Sequence, residues 1–322
     1  MPEVGSNTSP QKPWQAPAPA RYVLGMKLAA PEPPSIDLRR PAQQTVPLVI
    51  SSPHSGSHYS PQFLAESAVP LAVLRRAEDA FVDELFGAAP ALGAPLLAAR
   101  FPRSYVDANR EAYELDPAMF EGPLPRALNH RTSRVAAGLG MIPRVAASGE
   151  AIYRGRVPAE EIERRLAECW RPYHGALSLL VEQTHRMFGG ALLIDAHSMP
   201  SSASGLGTRD RETRVDVVLG DNHGEACALE LVGSVEHWLR ARGLRVQRNQ
   251  PYAGGFTTQR YGRPALNRHV LQIELNRAIY MDEARHERLP GWGGTQRLMA
   301  GLLEHAGQAA LETLLPRPLA AE

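Results

Sequence analysis

Two histidines each stand where an apolar run ends. His54 closes VPLVISSPH and His197 closes ALLIDAH, and a small, polar segment follows each of them. Such endings are typical of the carboxyl edge of an α/β sheet, which is where ligands bind. Two imidazoles that different strands bring to this edge could hold a metal ion.

Carboxylate and amide side chains end other strand-like runs. Asp195 precedes His197 by two residues, so both side chains project from one face of an extended segment. Glu274 ends a third apolar run, HVLQIE, and Asn109 with Arg110 follows FPRSYVDA. The sequence therefore predicts a cluster of polar side chains at one edge of a sheet.

These residue types suit the hydrolysis of an amide or ester by a metal-bound water. Zinc prefers neutral imidazole plus a carboxylate, and it lowers the pKa of its bound water to roughly 7. A second carboxylate then carries a proton from the water to the leaving nitrogen. Arginine and asparagine would hold an anionic substrate group. We expect one divalent metal ion and take Zn²⁺ as the first candidate. Manganese, iron, cobalt and nickel accept the same ligands.

Several sequence blocks resemble the N-formylglutamate amidohydrolase family. They run in order from about Pro47 to Glu283: ISSPHSG, EDAFVDELF, FPRSYVDANR, WRPYH, LLIDAHSMPS, VVLGD, NQPYAGGFTTQRYG and LQIELNRAIYMDE. That family is distantly similar to the zinc carboxypeptidases and aspartoacylases. The resemblance implies that the chain cleaves N-formyl-L-glutamate to formate and L-glutamate, a reaction of histidine catabolism.

The resemblance also implies roles for individual residues. His54 and His197 would be metal ligands, and Glu274 would be the general base and acid. Asn109 and Arg110 would hold the carboxylate of the substrate. Each of these residues stands at the position that matches the motif of the family.

The acidic metal ligand is less clearly indicated. Zinc carboxypeptidases supply it three residues after the first histidine, and this chain has Ser57 there. Asp79 is our substitute, because it opens the DAFVDEL segment in the matching place of the family. Asp195 is the rival, and it could equally orient a ligating imidazole from outside the coordination shell. EDAFVDELF also has the apolar spacing of an amphipathic helix, on which Asp79 would be a simple surface acid.

Other arginines and one loop complete the predicted site. Arg103 is our candidate for stabilising the oxyanion, ahead of Arg209 in GTRDRETR, which we include among the substrate contacts. Arg277 would point away from Glu274 unless its strand bends. By resemblance the NQPYAGGFTTQRYG loop contributes further substrate-binding residues: Tyr252, Gly254, Gly255 and Thr257.

Alternating elements predict one three-layer α/β/α sandwich around a mixed, mostly parallel sheet, similar to the zinc carboxypeptidases. We predict strands over 47–52, 94–101, 191–196, 215–219, 244–248 and 270–275. We predict helices over 70–87, 158–188, 224–242 and 294–315. The pattern weakens between 116 and 155, which indicates long loops that are functional or cover a site. His174, within the second helical pattern, is expected to pack or form hydrogen bonds there.

Composition bounds the class of protein. The 322 residues carry 35 Lys and Arg against 34 Asp and Glu, and this near-balance argues against nucleic acid or an anionic membrane as partner. Residues 1–35 are rich in Pro, Ala and Ser and predict a poorly ordered arm, and residues 36–322 predict a single domain. Two isolated cysteines and the lack of a signal-peptide pattern predict a cytoplasmic protein. The oligomeric state is left open.

The sequence is therefore consistent with three candidate functions. The first is a zinc-dependent amidohydrolase whose partner is a small anionic N-acyl amino acid. The second is a deacylase or carboxypeptidase-like peptidase that acts on another N-acyl amino acid or a short peptide. The third is a binding protein on the same scaffold that has lost catalysis, which Glu274 and both histidines argue against, because a binder needs no general base beside a metal.

Overall fold

A computed structural model of the chain describes residues 34–204 and 214–315. The predicted arm falls outside these residues except for its last two positions. Arg209 also lies outside the described residues, so its predicted contact with substrate stays a prediction.

A seven-stranded sheet forms the centre of the fold, in the order β1-β3-β2-β6-β9-β7-β8. Four of its pairs are parallel, and β1–β3 and β7–β9 are antiparallel. The described strands, including two short pairs outside this sheet, are β1 (Ile36–Arg39), β2 (Leu48–Ser52), β3 (Leu96–Ala99), β4 (Phe120–Glu121), β5 (Val157–Pro158), β6 (Ala191–Met199), β7 (Val217–Gly220), β8 (Val246–Arg248), β9 (Arg268–Asn276), β10 (Met281–Asp282) and β11 (Glu287–Arg288).

Helices cover both faces of this sheet. The described helices are α1 (Pro61–Glu66), α2 (Leu71–Leu74), α3 (Val82–Leu85), α4 (Ser133–Ala136), α5 (Glu160–Arg165), α6 (Arg171–Phe188), α7 (Leu229–Arg240), α8 (Phe256–Tyr261) and α9 (Trp292–Leu314). Leu192 and Ile194 of β6 belong to the buried cluster that includes α7 and α9. Leu193, between them, belongs to the cluster that includes α6. This alternation confirms the predicted three-layer α/β/α sandwich with a mixed, mostly parallel sheet.

The prediction of one helix over 70–87 is wrong. The chain forms α2 and a short 3₁₀ turn, Arg75–Ala77, becomes extended at Glu78, and resumes a helix only at Val82. Phe81 adopts a left-handed backbone conformation with φ of 64°, which a non-glycine residue reaches only when its surroundings impose it. Because of this break, Asp79 does not lie on a helix surface. It lies in the interior, where it is 1% exposed.

Other helix boundaries differ from the predicted ones for local reasons. The predicted helix 224–242 begins only at Leu229, because Gly224 has positive φ and Ala228 is extended. The predicted helix 158–188 contains a π-helical segment, Leu166–Trp170, that ends two residues before Pro172, which lacks the N–H that a regular turn needs. Local patterns missed β1, at the edge of the sheet, and α8, within the glycine-containing loop. Across the described residues, no helix is long and apolar enough to cross a membrane.

Candidate metal centre and active-site cavity

Three buried side chains converge at the carboxyl edge of the sheet. The Nδ1 atom of His197 lies 3.1 Å from Nδ1 of His54 and 3.0 Å from Oδ2 of Asp79. The Nδ1 atom of His54 lies 3.3 Å from the same Asp79 oxygen. His54 follows β2, His197 is in β6, and the Asp79 backbone N–H donates to the His54 carbonyl oxygen at 3.0 Å. The structure thus brings together the three residues that the sequence analysis names as metal ligands.

A carboxylate lies on the far side of each imidazole. The Nε2 atom of His54 lies 2.7 Å from Oδ1 of Asp107, and Nε2 of His197 lies 3.0 Å from Oδ2 of Asp195. Asp107 therefore holds the Nε2 proton of His54, which leaves the Nδ1 lone pair of that ring facing Asp79. The Nε2 atom of His197 lies near the Asp195 charge without an aligned hydrogen bond to it, and it also lies 3.3 Å from the Asn109 amide nitrogen. When this Nε2 atom carries the ring proton, the Nδ1 lone pair of His197 also faces Asp79.

This donor set fits a divalent metal ion. Four ligands at about 2.0–2.1 Å around a tetrahedral zinc ion are separated by about 3.3 Å, close to the three distances measured here. The three ligand atoms lie within 4.8 Å of one another and belong to residues that are almost fully buried. Two lone pairs and one carboxylate oxygen directed at one point are the chemistry of a metal site with room for a water molecule.

The buried cluster favours an ionised Asp79 and a protonated His197. Burial alone would raise the pKa of Asp79, but the imidazoles of His197 and His54 outweigh burial and hold this pKa well below the ordinary value. Burial would lower the pKa of His197, but Asp195 and Asp79 outweigh it and raise the pKa well above the ordinary value. In the metal-free protein Asp79 is therefore ionised and His197 is positively charged, and a metal ion bound at Nδ1 would displace the second ring proton of His197.

Two neighbouring strands present the polar residues on one face. In the parallel pair of β6 and β9, Asp195 is paired with Gln272 and His197 with Glu274. The Gln272 amide nitrogen donates to Oε1 of Glu274 at 3.0 Å. Burial raises the pKa of Glu274 to about 7, with the positive charge of His197 opposing this rise. A carboxylate that titrates near neutral pH can both accept and donate a proton, which is the property that a general base and acid needs.

A cavity of about 730 Å³ opens beside the histidines. The predicted residues His54, His197, Glu274, Arg103, Asn109, Arg110, Tyr252, Gly254 and Gly255 all line it. Its size is suited to a small molecule, since ligand pockets typically measure about 300–1,000 Å³.

The arginines of this cavity differ in what their nitrogens contact. Arg110 donates from Nε to the Leu139 carbonyl oxygen at 3.0 Å and from one terminal nitrogen to the Asn109 carbonyl oxygen at 2.7 Å. Arg103 donates from Nε to Asp107 at 3.0 Å, and within 34–204 and 214–315 its terminal nitrogens have no hydrogen-bond partner. The structure therefore leaves Arg103 freer than Arg110 to contact a substrate.

Arg277 reaches the site because its segment bends. The strand β9 ends at Asn276 and a 3₁₀ turn, Arg277–Ile279, follows. A terminal nitrogen of Arg277 then lies 3.1 Å from Oδ1 of Asp79, the oxygen that does not face the imidazoles. Arg277 thus orients the acidic ligand of the candidate metal site.

The glycine-containing loop packs directly on Asn109. The Asn109 side-chain oxygen accepts from the Thr257 backbone N–H at 2.9 Å. A Cβ atom on Gly255 would lie 2.4 Å from the Asn109 amide, so only glycine permits this approach. Thr257 itself is fully buried, and its contact is with Asn109 through the backbone.

Sequence reasoning missed Asp107 and Arg134. Asp107 binds His54, Arg103 and the Asn109 backbone N–H. It stands inside a block that the sequence analysis quotes, and its spacing of two residues from Asn109 is the one local signal that could have identified it. Arg134 lines the cavity from α4, within a stretch that has no periodic pattern.

Comparison with known proteins agrees with this geometry. A family model described as N-formylglutamate amidohydrolase matches residues 46–281. The chain belongs to the N-formylglutamate amidohydrolase family. The match spans the two histidines, Asp79, Asp107 and Glu274, so it covers the whole candidate site.

Individual relatives support the family membership. The chain is 34% identical over 245 residues to an N-formylglutamate deformylase of Pseudomonas aeruginosa, covering 74% of this chain and 83% of the relative. A deformylase of the same name from Pseudomonas putida is 32% identical over 244 residues, 75% of this chain and 84% of the relative. The crystal structure of an N-formylglutamate amidohydrolase from Ralstonia eutropha JMP134 superposes with a TM-score of 0.81 at 38% identity, covering 86% of this chain and 99% of that one.

Proposed function

We propose that this protein is a metal-dependent amidohydrolase that cleaves N-formyl-L-glutamate to formate and L-glutamate. The observation that carries the proposal is the convergence of His54 Nδ1, His197 Nδ1 and Asp79 Oδ2, with both histidines and Glu274 lining one cavity. Relatives that cover most of the chain are named N-formylglutamate deformylase, which supports this substrate. We further propose Zn²⁺ as the ion and a cytoplasmic role in histidine catabolism.

His54, Asp79 and His197 would hold the ion. When bound, it would supply a water of lowered pKa and polarise the formyl carbonyl group. Asp107 would hold the Nε2 proton of His54, the charge of Asp195 lies 3.0 Å from Nε2 of His197, and Arg277 holds the second oxygen of Asp79. These contacts would preserve the arrangement of the three ligands during turnover.

Glu274 moves the proton in this proposal. It accepts a proton from the attacking water as the bond from the water oxygen to the formyl carbon forms. It then gives the proton to the amide nitrogen as the carbon–nitrogen bond breaks, so that formate and the free amine leave. Arg103 would stabilise the developing charge on the carbonyl oxygen, because no partner of its terminal nitrogens is found within 34–204 and 214–315.

The substrate is expected to be anionic. Among the residues that the structure describes, five arginines and two carboxylates, Asp107 and Glu274, line the cavity, so this part of its wall carries an excess of positive charge. The sequence-based role of Asn109 and Arg110 in binding the substrate carboxylate remains part of the proposal. Both line the cavity, and Arg110 would contribute mainly its charge, because two of its nitrogens donate to backbone carbonyl groups and the third lies 3.7 Å from Asp107.

Release of free amino groups from three substrates by the purified full-length chain, with formate measured alongside, tests the proposal. The substrates are N-formyl-L-glutamate, N-acetyl-L-glutamate and a short peptide, before and after treatment with a chelator and readdition of zinc. We expect formate from N-formyl-L-glutamate, loss with the chelator and recovery with zinc. Preferred cleavage of the acetyl compound or of the peptide would favour the deacylase or peptidase alternative. Binding of N-formyl-L-glutamate without cleavage, even with added metals, would favour a binding protein.

A further inference from the structure

The cavity holds more positive charge than the proposed chemistry uses. Five arginines from separate places in the described chain line it: Arg76, Arg103, Arg110, Arg134 and Arg277. A guanidinium group that faces a cavity without a protein carboxylate is suited to bind an anion, because desolvated charges need a partner. The contacts of each arginine decide which of them can take a substrate group.

Two of the five arginines use their side-chain nitrogens for hydrogen bonds within the protein. All three nitrogens of Arg277 donate: to the Ser198 hydroxyl at 3.2 Å, to the Arg76 carbonyl at 3.0 Å and to Asp79 at 3.1 Å. Arg110 donates to two backbone carbonyl groups, as described above. These two side chains hold the walls of the cavity together.

Arg103 and Arg76 are suited to other tasks. Arg103 is tied to Asp107, the carboxylate that touches the ligand His54, and therefore lies beside the reacting centre. Arg76 is exposed, so solvent screens its charge. Neither position is as well suited as Arg134 to binding a substrate group further from the metal ligands.

Arg134 is the partly buried arginine that remains. Within the described ranges, one hydrogen bond is found for its side chain, to the Gly254 carbonyl oxygen at 3.3 Å, and no carboxylate lies within ion-pair distance. The short helix that carries it is held by Thr132, whose hydroxyl oxygen accepts from the Val135 N–H at 3.1 Å and donates to Glu114 at 2.7 Å. Arg134 is thus a positively charged side chain on a cavity wall whose backbone is held in place.

A second cation, Arg110, lines the same cavity as Arg134. Burial is the main reason why the pKa of Arg110 is lowered to about 10; the positive charges of Arg103 and Arg134 add to this lowering, and Asp107, 3.7 Å from a terminal nitrogen of Arg110, opposes it. Like charges that line one cavity repel each other, and a bound anion relieves this repulsion. The wall that includes Arg134 therefore gains from an anionic ligand.

We propose that Arg134 binds the side-chain carboxylate of the substrate and so selects a dicarboxylate over an amino acid with an uncharged side chain. This inference rests on the proposed function, because it assigns one end of the N-formylglutamate molecule. The formyl group lies at the metal ligands and Arg103, and the far carboxylate reaches the α4 wall. Arg134 then acts as a specificity-determining residue.

Paired substrates test this assignment. N-formyl-L-glutamine has nearly the shape of N-formyl-L-glutamate but lacks the second negative charge. We expect Arg134→Gln to lower kcat/KM for N-formyl-L-glutamate by about 30- to 100-fold and for N-formyl-L-glutamine by less than about threefold. Arg134→Lys should recover part of the loss. Arg131→Gln, a change at an exposed neighbour outside the cavity lining, is the matched control and should alter neither.

Equal losses on both substrates would overturn the assignment, since Arg134 would then serve the loop at Gly254 or a group that both substrates share. No loss on either would overturn it too. A binding measurement separates this inference from the proposed reaction: wild type should bind glutarate more tightly than butyrate, and Arg134→Gln should lose that preference. Wild type that shows the binding preference but releases no formate would refute the proposed reaction and leave the dicarboxylate site intact.

Discussion

The Nε2 atom of His54 lies 2.7 Å from the Oδ1 atom of Asp107, on the opposite side of the ring from Asp79. Asp107 is 2% exposed and also accepts from the Arg103 side chain and the Asn109 backbone N–H. Burial would raise the pKa of Asp107, but the positive charges of Arg103 and Arg110 outweigh it and hold this pKa well below the ordinary value. One ionised carboxylate thus joins a candidate metal ligand to the substrate-binding wall.

Replacing Asp107 by Asn should weaken metal binding. The amide cannot hold the proton of His54 as strongly, so the tautomer with a free Nδ1 atom is less favoured. We expect metal affinity to fall by about 10- to 100-fold, measured by competition with a chelator of known affinity. Asp116→Asn, which removes a carboxylate paired with Arg144 elsewhere, is the control. Unchanged affinity in Asp107→Asn would show that this carboxylate does not support the metal site.

Glu274→Gln should separate metal binding from turnover. The amide keeps the shape of the side chain but cannot accept a proton, so we expect normal metal content and a loss of about 10²- to 10⁴-fold in kcat. Metal analysis and formate release on the same sample measure both. An active Glu274→Gln enzyme would remove Glu274 from the role of general base.

Gly255→Ala should impair the site through Asn109. The added Cβ atom would lie 2.4 Å from the Asn109 amide and must displace it from the Thr257 N–H. Such overpacking costs about 1–3 kcal/mol, and we expect lower thermal stability together with a lower kcat/KM. Gly291→Ala, where no atom lies within 4 Å of the added carbon, should change neither. Equal behaviour of the two variants would contradict the close approach.

His174 should make stability depend on pH. Its Nε2 atom lies 2.8 Å from the Ala108 carbonyl oxygen and its Nδ1 atom 2.9 Å from the Tyr261 hydroxyl, which confirms the predicted packing role. Burial lowers the pKa of His174 to about 4 from an ordinary value of 6.5. The unfolded chain therefore takes up a proton first as pH falls, and the folded state loses stability between about pH 6.5 and pH 4, by up to about 3 kcal/mol.

The comparison of two variants isolates this effect. Denaturant unfolding between pH 4.5 and pH 7 should show a smaller loss of stability on acidification in His174→Gln than in wild type. His237→Gln, at an exposed position of α7, should keep the wild-type slope. Equal slopes in His174→Gln and wild type would show that His174 does not stay neutral in the folded protein.

Local sequence patterns predict the parts of the site that lie at strand ends. His54, His197 and Glu274 follow apolar runs, so their shared edge follows from the sheet alone. Strand periodicity cannot show where a strand turns, so the sequence alone does not predict the bend after Asn276 that brings Arg277 to Asp79. The fold class likewise follows from the alternation of strands and helices.

Contacts between distant residues decide the rest. The apolar spacing of EDAFVDELF predicts a helix, but Glu78 is held in an extended conformation by the Tyr59 hydroxyl at 2.7 Å and by His286 at 2.9 Å, which come from remote segments. These partners place Asp79 between the imidazoles. Arg134 was missed for the same reason, because its role depends on a cavity that several distant segments enclose. No local pattern contains that information.

The most direct test of a catalytic metal on His54, Asp79 and His197 is elemental analysis combined with formate release in wild type and Asp79→Ala. The control is Asp83→Ala, which removes a nearby carboxylate paired with Arg39, and thermal unfolding checks that each protein is folded. We predict about one zinc ion per chain in wild type and Asp83→Ala, and the loss of both metal and turnover in folded Asp79→Ala. Full metal content and full turnover in Asp79→Ala, or wild-type turnover that persists after all metal is removed, would contradict the account.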